Sequence, residues 1–455
     1  MDRTVDKIAG YVASFRPRDL TPAALHAVKR ALIDSVGCAL GAYSAEPVEI
    51  TRRIATRYSS TVPATLLGTS IKTTPEMAAL VNGFMVRYLD FSDDYINLDG
   101  PHPSDNISAV LAAAESVHAD GLRLACGITL AYELVCQLVD STSFRYRGWD
   151  YITETSIGSA MGAANILGLS EEQTRHALGL AIAPNIGLRR SRMGELSMWK
   201  AGAGPNGGRN GLFAAILAAE GMTGPNEVIE GAGGLWTQVT GEFKLGAFGG
   251  KKHPFKIERT FFKPVPVMYT VLLPLETVFK LRDKVNIDNV KSIKVFLDRF
   301  HVTSCNFKER WTPHTRETAD HSIPYLVVAA LVDGEINEKT FTPERYEDPK
   351  ILGLLSNLTM EEDPEYTRQF PAEFHCRIEV TDSSGRKVVK HGKNPKGHPA
   401  NPMSDSEIEE KFVKITRTLL TPGQVRKALD QMWHLEEIND VGALLDAVAV
   451  KKRQH

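Results

Sequence analysis

The sequence lacks the short motifs that usually bind a metal or a nucleotide cofactor. Its 455 residues contain no HExxH, no paired CxxC and no DxDxDG loop, so we predict no metal site. They also contain no GxxxxGK[ST] loop, no GxGxxG following a strand and no GxSxG elbow. We therefore expect a protein without a cofactor, whose own side chains carry out any chemistry.

The sequence also has few cysteines and a small net charge. The odd, scattered set of five cysteines argues against a disulfide framework. A formal net charge of −2 provides no overall field for nucleic acid or an acidic membrane, and we expect neither as a partner. No run of about 18 apolar residues suits a bilayer span, and the first residues lack the apolar core of a signal peptide. We expect a cytoplasmic protein.

Most of the chain has the pattern of amphipathic helices. Residues 1–265 contain apolar side chains at steps of three and four, with a capping box at 170–173 and stretches rich in Ala and Gly. Residues 404–455 contain two more capping boxes, at 404–407 and 421–424. This pattern predicts a bundle of closely packed helices to which both ends of the chain contribute.

The pattern changes between residues 266 and 403. Apolar and polar residues alternate over 293–297 and 376–380, which is typical of half-buried strands. A turn at 382–385 and a returning segment at 387–390 predict a β-hairpin. We therefore predict a mainly α protein with a smaller α+β domain over 266–403, inserted between helical parts at 1–265 and 404–455.

The segment between two helix-like stretches, residues 88–106, concentrates groups suited to proton transfer or anion binding. Within it, sixteen residues include Asp90, Asp93, Asp94, His102, Ser104 and Asp105. The alternative is a polar loop with an Asp cap at one end and a Ser cap at the other. Taken alone, the segment favours that alternative.

Four further places carry polar groups in apolar or glycine-rich surroundings. They are the basic run Arg189, Arg190 and Arg192 with Lys200, the junction residue Lys263, the pair His321 and Tyr325, and the Pro-rich loop 394–403. The first suits a polycarboxylate, although a solvated basic turn is an equal alternative. Lys263 is either a partly desolvated cation or a snorkelling edge residue.

The other two places also have a structural alternative. Asp320 or Ser322 can act as a helix cap, whereas His321 and Tyr325 are predicted to share a helical face. The loop 394–403 is best explained as a rigid connection between elements.

Several segments together resemble the MmgE/PrpD family. They are 82–91 (NGFMVRYLDF), 102–106 (HPSDN), 194–200 (GELSMWK), 221–225 (GMTGP), 319–325 (ADHSIPY) and 397–404 (GHPANPMS). The likeness runs in order from about residue 5 to 445. The family includes 2-methylcitrate dehydratase, cis-aconitate decarboxylase and iminodisuccinate epimerase. The resemblance implies a large helical domain built from both termini, a smaller α+β lid domain and a homodimer.

The resemblance also implies metal-free proton chemistry on a small polycarboxylate, in a cleft between the domains. The residues that match the family's catalytic positions are Asp90, His102, Lys200, Lys263 and Tyr325. In these roles His102 exchanges protons, oriented by Asp90, and the lysines stabilise negative charge. Tyr325 would protonate a leaving hydroxyl or hold a carboxylate. Residues expected to bind substrate are Asp93, Ser104, Asp150, Arg189, Arg192, Tyr269 and His321.

Two departures from the family pattern bear on the substrate. Decarboxylase-type members carry a histidine where this chain has Asp150, and dehydratase-type relatives carry one a few residues past the junction lysine, near Tyr269. We predict a hydro-lyase acting on 2-methylcitrate or citrate. The alternatives are a cis-aconitate decarboxylase, a family epimerase or isomerase, and an inactive binding or scaffold relative.

Overall fold

The N-terminal helices begin where capping side chains stand in the sequence. In the computed structural model, which describes residues 2–450, the Asp2 carboxylate accepts the backbone N–H of Val5 and the Thr21 hydroxyl accepts that of Ala24. The helices are α1 (Arg3–Ser14), α2 (Pro22–Gly41), α3 (Glu46–Ala55), α4 (Pro75–Arg87), α5 (Ile107–Ser116), α6 (Gly121–Ser141), α7 (Ile152–Leu167), α8 (Glu171–Ile182) and α9 (Ala203–Ala219). A short antiparallel pair, β1 (Ala64–Thr65) and β2 (Lys72–Thr73), lies between α3 and α4 in the sequence.

Small residues bring these helices close together, as predicted. A Cβ atom on Gly211 of α9 would lie 2.3 Å from the carbonyl oxygen of Ser156 in α7, so only glycine permits this approach. Within the described residues, α6 alone is long and apolar enough to cross a membrane, yet 89% of its apolar window is buried inside the protein. This burial identifies α6 as a core helix of the bundle.

The middle of the chain forms a mixed four-stranded sheet with helices around it. The strands are β3 (Val290–Leu297), β4 (Leu358–Glu362), β5 (His375–Asp382) and β6 (Lys387–Lys393), in the order β4-β3-β5-β6. β3 pairs antiparallel with β5 and parallel with β4, and β5 pairs antiparallel with β6. The helices are α10 (Tyr269–Arg282), α11 (Arg299–Ser304), α12 (Arg316–Ala319), α13 (Ile323–Asp333), α14 (Pro343–Tyr346), α15 (Pro349–Leu355) and α16 (Pro364–Gln369).

The register of the sheet confirms the predicted strands. Ile293, Val295 and Leu297 are all buried, and Ile293 lies opposite Val380 of β5. The predicted hairpin is present, with Ile378 opposite Lys390. α10 packs against β5 and β6, which covers one part of the sheet.

The last described residues form helix again. The helices are α17 (Asp405–Thr416), α18 (Pro422–Trp433) and α19 (Gly442–Ala447). Capping boxes at Ser404 and Thr421 open α17 and α18, as predicted. Both helices pack on α2.

The chain divides into two units, which we call the helical unit and the α+β unit. The helical unit contains the residues up to Arg189, Ala201–Phe261 and those from Ser404 onwards, and the α+β unit contains Arg190–Lys200 and Phe262–Met403. The predicted class, mainly α with an α+β second domain, is confirmed. The segment Arg190–Lys200 differs from its predicted place in the helical part because Leu196 N–H donates to the Thr318 hydroxyl, 2.9 Å away.

Candidate active site

The chain turns sharply where it leaves α4. Asp90 has a left-handed backbone with φ of 52°, a conformation that Asp tolerates better than most residues. Its N–H donates to the carbonyl oxygen of Arg87, and its carboxylate lies 3.3 Å from the Arg87 guanidinium. Burial lowers the pKa of Arg87, but Asp90 and Tyr151 raise it by more, so the guanidinium stays charged. Arg87 therefore fixes the Asp90 carboxylate.

The imidazole of His102 is held by the acidic segment that follows Asp90. Its Nδ1 atom lies 2.6 Å from the Asp93 carbonyl oxygen and 3.4 Å from a carboxylate oxygen of Asp94. Its Nε2 atom lies 3.8 Å from Asp90 Oδ1. Because a carbonyl oxygen only accepts, Nδ1 carries a proton and donates it, which leaves Nε2 as the nitrogen whose protonation can change.

The carboxylate of Asp93 ties this segment to the start of α5 and to α6. One oxygen accepts the N–H of Ser104 at 2.9 Å, and the other accepts the Tyr132 hydroxyl at 2.8 Å. Burial raises the pKa of Asp93 to about 6, although the hydrogen bonds from Ser104 and Tyr132 lower it in part. Asp93 therefore changes charge close to neutral pH.

The start of α5 has neither the Asp cap nor the Ser cap that the alternative predicted. α5 begins at Ile107, and its N-cap residue Asn106 makes no side-chain capping bond. Ser104 instead donates its N–H to Asp93, and Asp90 pairs with Arg87. The polar groups of 90–106 thus bond both to one another and to Arg87 and Tyr132.

The start of α7 brings an aromatic residue to this cluster. The Tyr151 ring lies 6.2 Å from the His102 ring, edge to face, and its hydroxyl accepts a long 3.5 Å contact from Arg87 Nε. The preceding residue, Asp150, is buried and accepts the N–H of Ile152 at 3.2 Å. Asp150 therefore fixes the first turn of α7 and so the position of Tyr151.

A second cluster lies in the α+β unit around Asp320. The ammonium group of Lys200 donates to both carboxylate oxygens of Asp320, at 3.0 and 2.9 Å, and both side chains are 0% exposed. Nδ1 of His321 also bonds to Asp320, and the Arg316 guanidinium lies 3.7 Å away. Lys200 and His321, both predicted site residues, are thus brought together by a carboxylate that the motifs left as a candidate cap.

Two other predicted residues of this unit are buried. Lys263 is 0% exposed, so its side chain is desolvated and the snorkelling alternative is excluded. Its neighbour Phe262 packs against the loop 394–403, where a Cβ atom on Gly397 would lie 1.7 Å from the Phe262 carbonyl oxygen. Tyr269 opens α10 and packs edge to face on Phe374, with ring centroids 5.3 Å apart.

Tyr325 lies in the first turn of α13. α13 begins at Ile323 with Ser322 as its cap, so His321 precedes the helix and the predicted shared face is wrong. The Tyr325 hydroxyl donates to the Thr340 carbonyl oxygen at 2.5 Å. Burial is the main cause that raises the Tyr325 pKa. In this structure the hydroxyl links α13 to the turn that follows it.

The basic run does not form a single group. Arg189 is half-buried and belongs to the helical unit, where its N–H donates to the Gly148 carbonyl oxygen. Arg192 belongs to the α+β unit, and its guanidinium donates to the Lys200 carbonyl oxygen at 2.7 Å. Arg310 in turn donates to the carbonyl oxygen of Arg192. Arg192 therefore braces the loop that carries Lys200.

Family models match both parts of the chain. The MmgE/PrpD N-terminal domain matches residues 6–247, and the MmgE/PrpD C-terminal domain matches residues 266–435. The chain belongs to the MmgE/PrpD family. The predicted resemblance is confirmed.

Named members of the MmgE/PrpD family are similar over nearly the whole chain. A mitochondrial 2-methylcitrate dehydratase of Yarrowia lipolytica is 26% identical, covering 94% of this chain and 86% of its own length. A cis-aconitate decarboxylase of Homo sapiens is 24% identical, covering 93% and 90%. A 2-methylcitrate dehydratase of Salmonella typhimurium is 24% identical, covering 93% and 92%. The names of these relatives differ in reaction type.

Asp150, at one of the two departures from the MmgE/PrpD pattern, has acidic surroundings. Glu154, one turn further along α7, is fully buried, and neither of its carboxylate oxygens has a hydrogen-bond partner among the described residues. Burial raises its pKa well above the ordinary value, and Asp99 and Asp150 raise it further. The acidic side chain of Asp150 therefore interacts with a second acidic side chain, that of Glu154.

Several residues that contact the predicted site residues were not themselves predicted to have a role. Arg87 stands three residues before Asp90, a spacing at which helical side chains meet, so its pairing had a sequence signal. Asp320 directly precedes His321 within a family segment. Tyr132 and Tyr151 lie in apolar helical stretches far from Asp93 and His102 in sequence, and no local pattern indicated them.

Proposed function

We propose that the protein is a hydro-lyase that eliminates water from a small tricarboxylic hydroxy acid, 2-methylcitrate or citrate. The observation that carries the proposal is the 2.6 Å hydrogen bond from His102 Nδ1 to the Asp93 carbonyl oxygen. It leaves Nε2 to exchange a proton with a substrate, with the Asp90 carboxylate nearby to stabilise the imidazolium. Relatives named 2-methylcitrate dehydratase support the same reaction type.

The proposed reaction needs a base, an acid and a cation that stabilises the negative charge on the substrate carboxylate. His102 Nε2 removes a proton from the carbon next to a substrate carboxylate. The electron pair of that C–H bond forms the C=C bond as the neighbouring C–O bond breaks. A proton donated to the departing hydroxyl completes the water molecule. In this proposal side chains supply the base, the acid and the positive charge, and no metal is included.

The cations of the α+β unit are proposed to bind substrate carboxylates. Removing the proton builds negative charge on the adjacent carboxylate, and a preorganised cation stabilises that charge most where water is excluded. Lys200 and Lys263 are both fully buried, which meets this condition. The carboxylate of Asp320 pairs with the Lys200 ammonium group and orients it.

A cis-aconitate decarboxylase is the second candidate, supported by the relative of that name in Homo sapiens. Decarboxylation breaks a C–C bond and protonates the electron pair that remains, so His102 would act as an acid. Asp150 stands where decarboxylase-type members are expected to carry a histidine, and its side chain cannot supply a positive charge.

Incubation of the purified protein with each of four acids tests the proposal. The acids are 2-methylcitrate, citrate, cis-aconitate and iminodisuccinate, with products identified by NMR. We expect loss of water from 2-methylcitrate or citrate, unchanged after exhaustive dialysis against a chelator. Carbon dioxide from cis-aconitate would replace the proposal with the decarboxylase, and inversion of iminodisuccinate with an epimerase.

Two further outcomes count against the proposal. Turnover lost on dialysis and restored by iron or zinc would exclude the metal-free reaction. A protein that binds tricarboxylates, as measured by calorimetry, but converts none of the four would be a binding or scaffold relative.

A further inference from the structure

We propose that Lys411, on α17, is a positioning residue that holds the backbone next to Asp90 in the geometry that proton transfer by His102 requires. This inference rests on the proposed function, because it assigns Lys411 a role in the same reaction. Lys411 acts through Phe91, which it contacts at both the backbone and the ring.

The ammonium group of Lys411 makes three contacts in the interior of the helical unit. It donates to Asp34 Oδ1 at 2.6 Å and to the Phe91 carbonyl oxygen at 2.6 Å. It also lies 3.8 Å from the centroid of the Phe91 ring, a cation–π distance. The side chains of Lys411 and Asp34 are 5% and 0% exposed. One buried cation thus fixes both the backbone and the side chain of Phe91.

Phe91 follows the residue whose backbone is least favourable in this cluster. The left-handed φ of Asp90 persists only if the residues on both sides are held. On the N-terminal side, the Arg87 carbonyl oxygen accepts the Asp90 N–H, and the Arg87 guanidinium pairs with the Asp90 carboxylate. On the C-terminal side, Lys411 binds the carbonyl oxygen of Phe91. Two buried cations therefore restrain this turn from either side.

The restraint extends to His102 through the next residues of the same segment. The Asp93 carbonyl oxygen, two residues after Phe91, accepts the His102 Nδ1 proton. A shift of the chain at Phe91 therefore moves the group that sets the tautomer and orientation of His102. Misplacement of a reacting group by about 1 Å can lower a rate by about 100-fold.

An ion pair that served stability alone would not need this arrangement. A buried pair is often no more stabilising than well-packed apolar residues of the same size, because both charges lose their hydration. Here the cation has an additional main-chain acceptor beside Asp90, although Lys411 and Phe91 are 320 residues apart. The contact therefore connects the C-terminal part of the chain to the proton-transfer cluster.

A double variant without either charge tests the positioning by Lys411 and leaves no unpaired charge in the interior. Lys411→Met alone leaves the buried Asp34 carboxylate without its cation, which endangers folding. Lys411→Met combined with Asp34→Asn removes both charges and the contact with the Phe91 carbonyl oxygen. Lys29→Met is the matched control, since Lys29 also joins α2 to the C-terminal part of the chain, through Glu436. It does not contact Phe91.

Two readouts are measured on each protein: the nitrogen-15 NMR signals of the His102 ring, and kcat and KM on the substrate that the wild type converts. In the double variant we expect a displaced His102 Nδ1 signal and kcat lowered by about 10- to 100-fold, with little change in KM. Lys29→Met is expected to match the wild type in both. If the double variant fails to fold, Lys411→Arg, which keeps the positive charge but moves the donor nitrogens, takes its place with the same expectations.

A wild-type His102 signal in the substituted protein overturns the inference, whether or not any substrate is turned over. A wild-type kcat in an otherwise active protein overturns it as well. Failure of the proposed function has a different signature. The wild type then converts none of the tested acids, while the displaced His102 signal still reports the positioning by Lys411.

Discussion

At the scale of single residues, Asp93 links the stability of the protein to pH. Its folded-state pKa is raised from 3.8 to about 6, mainly by burial, so folding favours the protonated carboxyl. The stability that Asp93 contributes is therefore fully present below pH 3.8 and is lost as the pH rises through 6. Asp93→Asn, which cannot ionise, does not show this loss.

The Asp93→Asn variant should gain free energy of unfolding relative to the wild type as the pH rises from 4 to 7. The gain expected from the shift is roughly 2 to 3 kcal/mol. Urea unfolding of both proteins at several pH values measures it. A difference between the two proteins that does not depend on pH would mean that Asp93 titrates normally.

Substitutions of Lys200 and Asp320 distinguish two roles for this ion pair, substrate binding and structural support. If Lys200 binds a substrate carboxylate, Lys200→Met should lower kcat/KM by about 10²–10³. Asp320→Asn keeps the ammonium group and should lower kcat/KM far less. If the pair is only structural, breaking it from either side should cost similar stability, about 3–5 kcal/mol, and similar activity. Steady-state kinetics and urea unfolding of the two variants distinguish the cases.

The sequence located part of the site at this scale. Asp90, Asp93, His102 and Ser104 lie within fifteen residues and meet, because one turn between α4 and α5 contains them all. Tyr132 and Tyr151 were missed because their contacts depend on how α6 and α7 pack, which local spacing does not encode. The catalytic roles of the predicted site residues, Tyr325 and Lys263 included, stay predictions.

At the scale of elements, the loop 394–403 supports the backbone next to Lys263. Gly397 has φ of +93°, and a Cβ atom there would lie 1.7 Å from the Phe262 carbonyl oxygen. Gly385, in the β5–β6 turn, has φ of +87° with nothing within 4 Å of a Cβ atom. The two glycines share a backbone conformation and differ in their surroundings.

Gly397→Ala should therefore destabilise the protein more than Gly385→Ala. The backbone conformation alone costs about 1–2 kcal/mol at either position. At Gly397 the clash adds to this cost and displaces Phe262, so activity should fall as well if Lys263 binds substrate. Urea unfolding and kcat/KM of both variants measure the two effects. Equal losses would show that the loop adapts without moving the lysine.

Capping chemistry made many elements predictable. Ser170, Ser404 and Thr421 open helices as their capping boxes indicated, and the alternation over 293–297 marked β3. β4 was not predicted, because Leu358–Glu362 is a short segment with a single fully buried residue at its start. Its strand conformation depends on parallel pairing with β3, a contact distant in sequence.

At the scale of the whole molecule, the change of periodicity near residue 265 marked the start of a different architecture. Family membership and fold class both followed from the sequence, since motifs along the whole chain agree in order. The identity of about 25% to relatives with different activities explains why the substrate did not follow. The homodimer, the cytoplasmic location and the cleft between domains stay predictions.

The product formed from 2-methylcitrate in deuterium oxide tests the central claim most directly. NMR follows the wild type, His102→Gln and a control, His434→Gln, whose histidine is exposed at the end of α18. We predict an unsaturated tricarboxylate from the wild type and the control, and a rate lower by at least about 100-fold for His102→Gln with an unchanged melting temperature. Exchange of a substrate proton for deuterium without loss of the hydroxyl, or equal rates in all three proteins, would contradict the account.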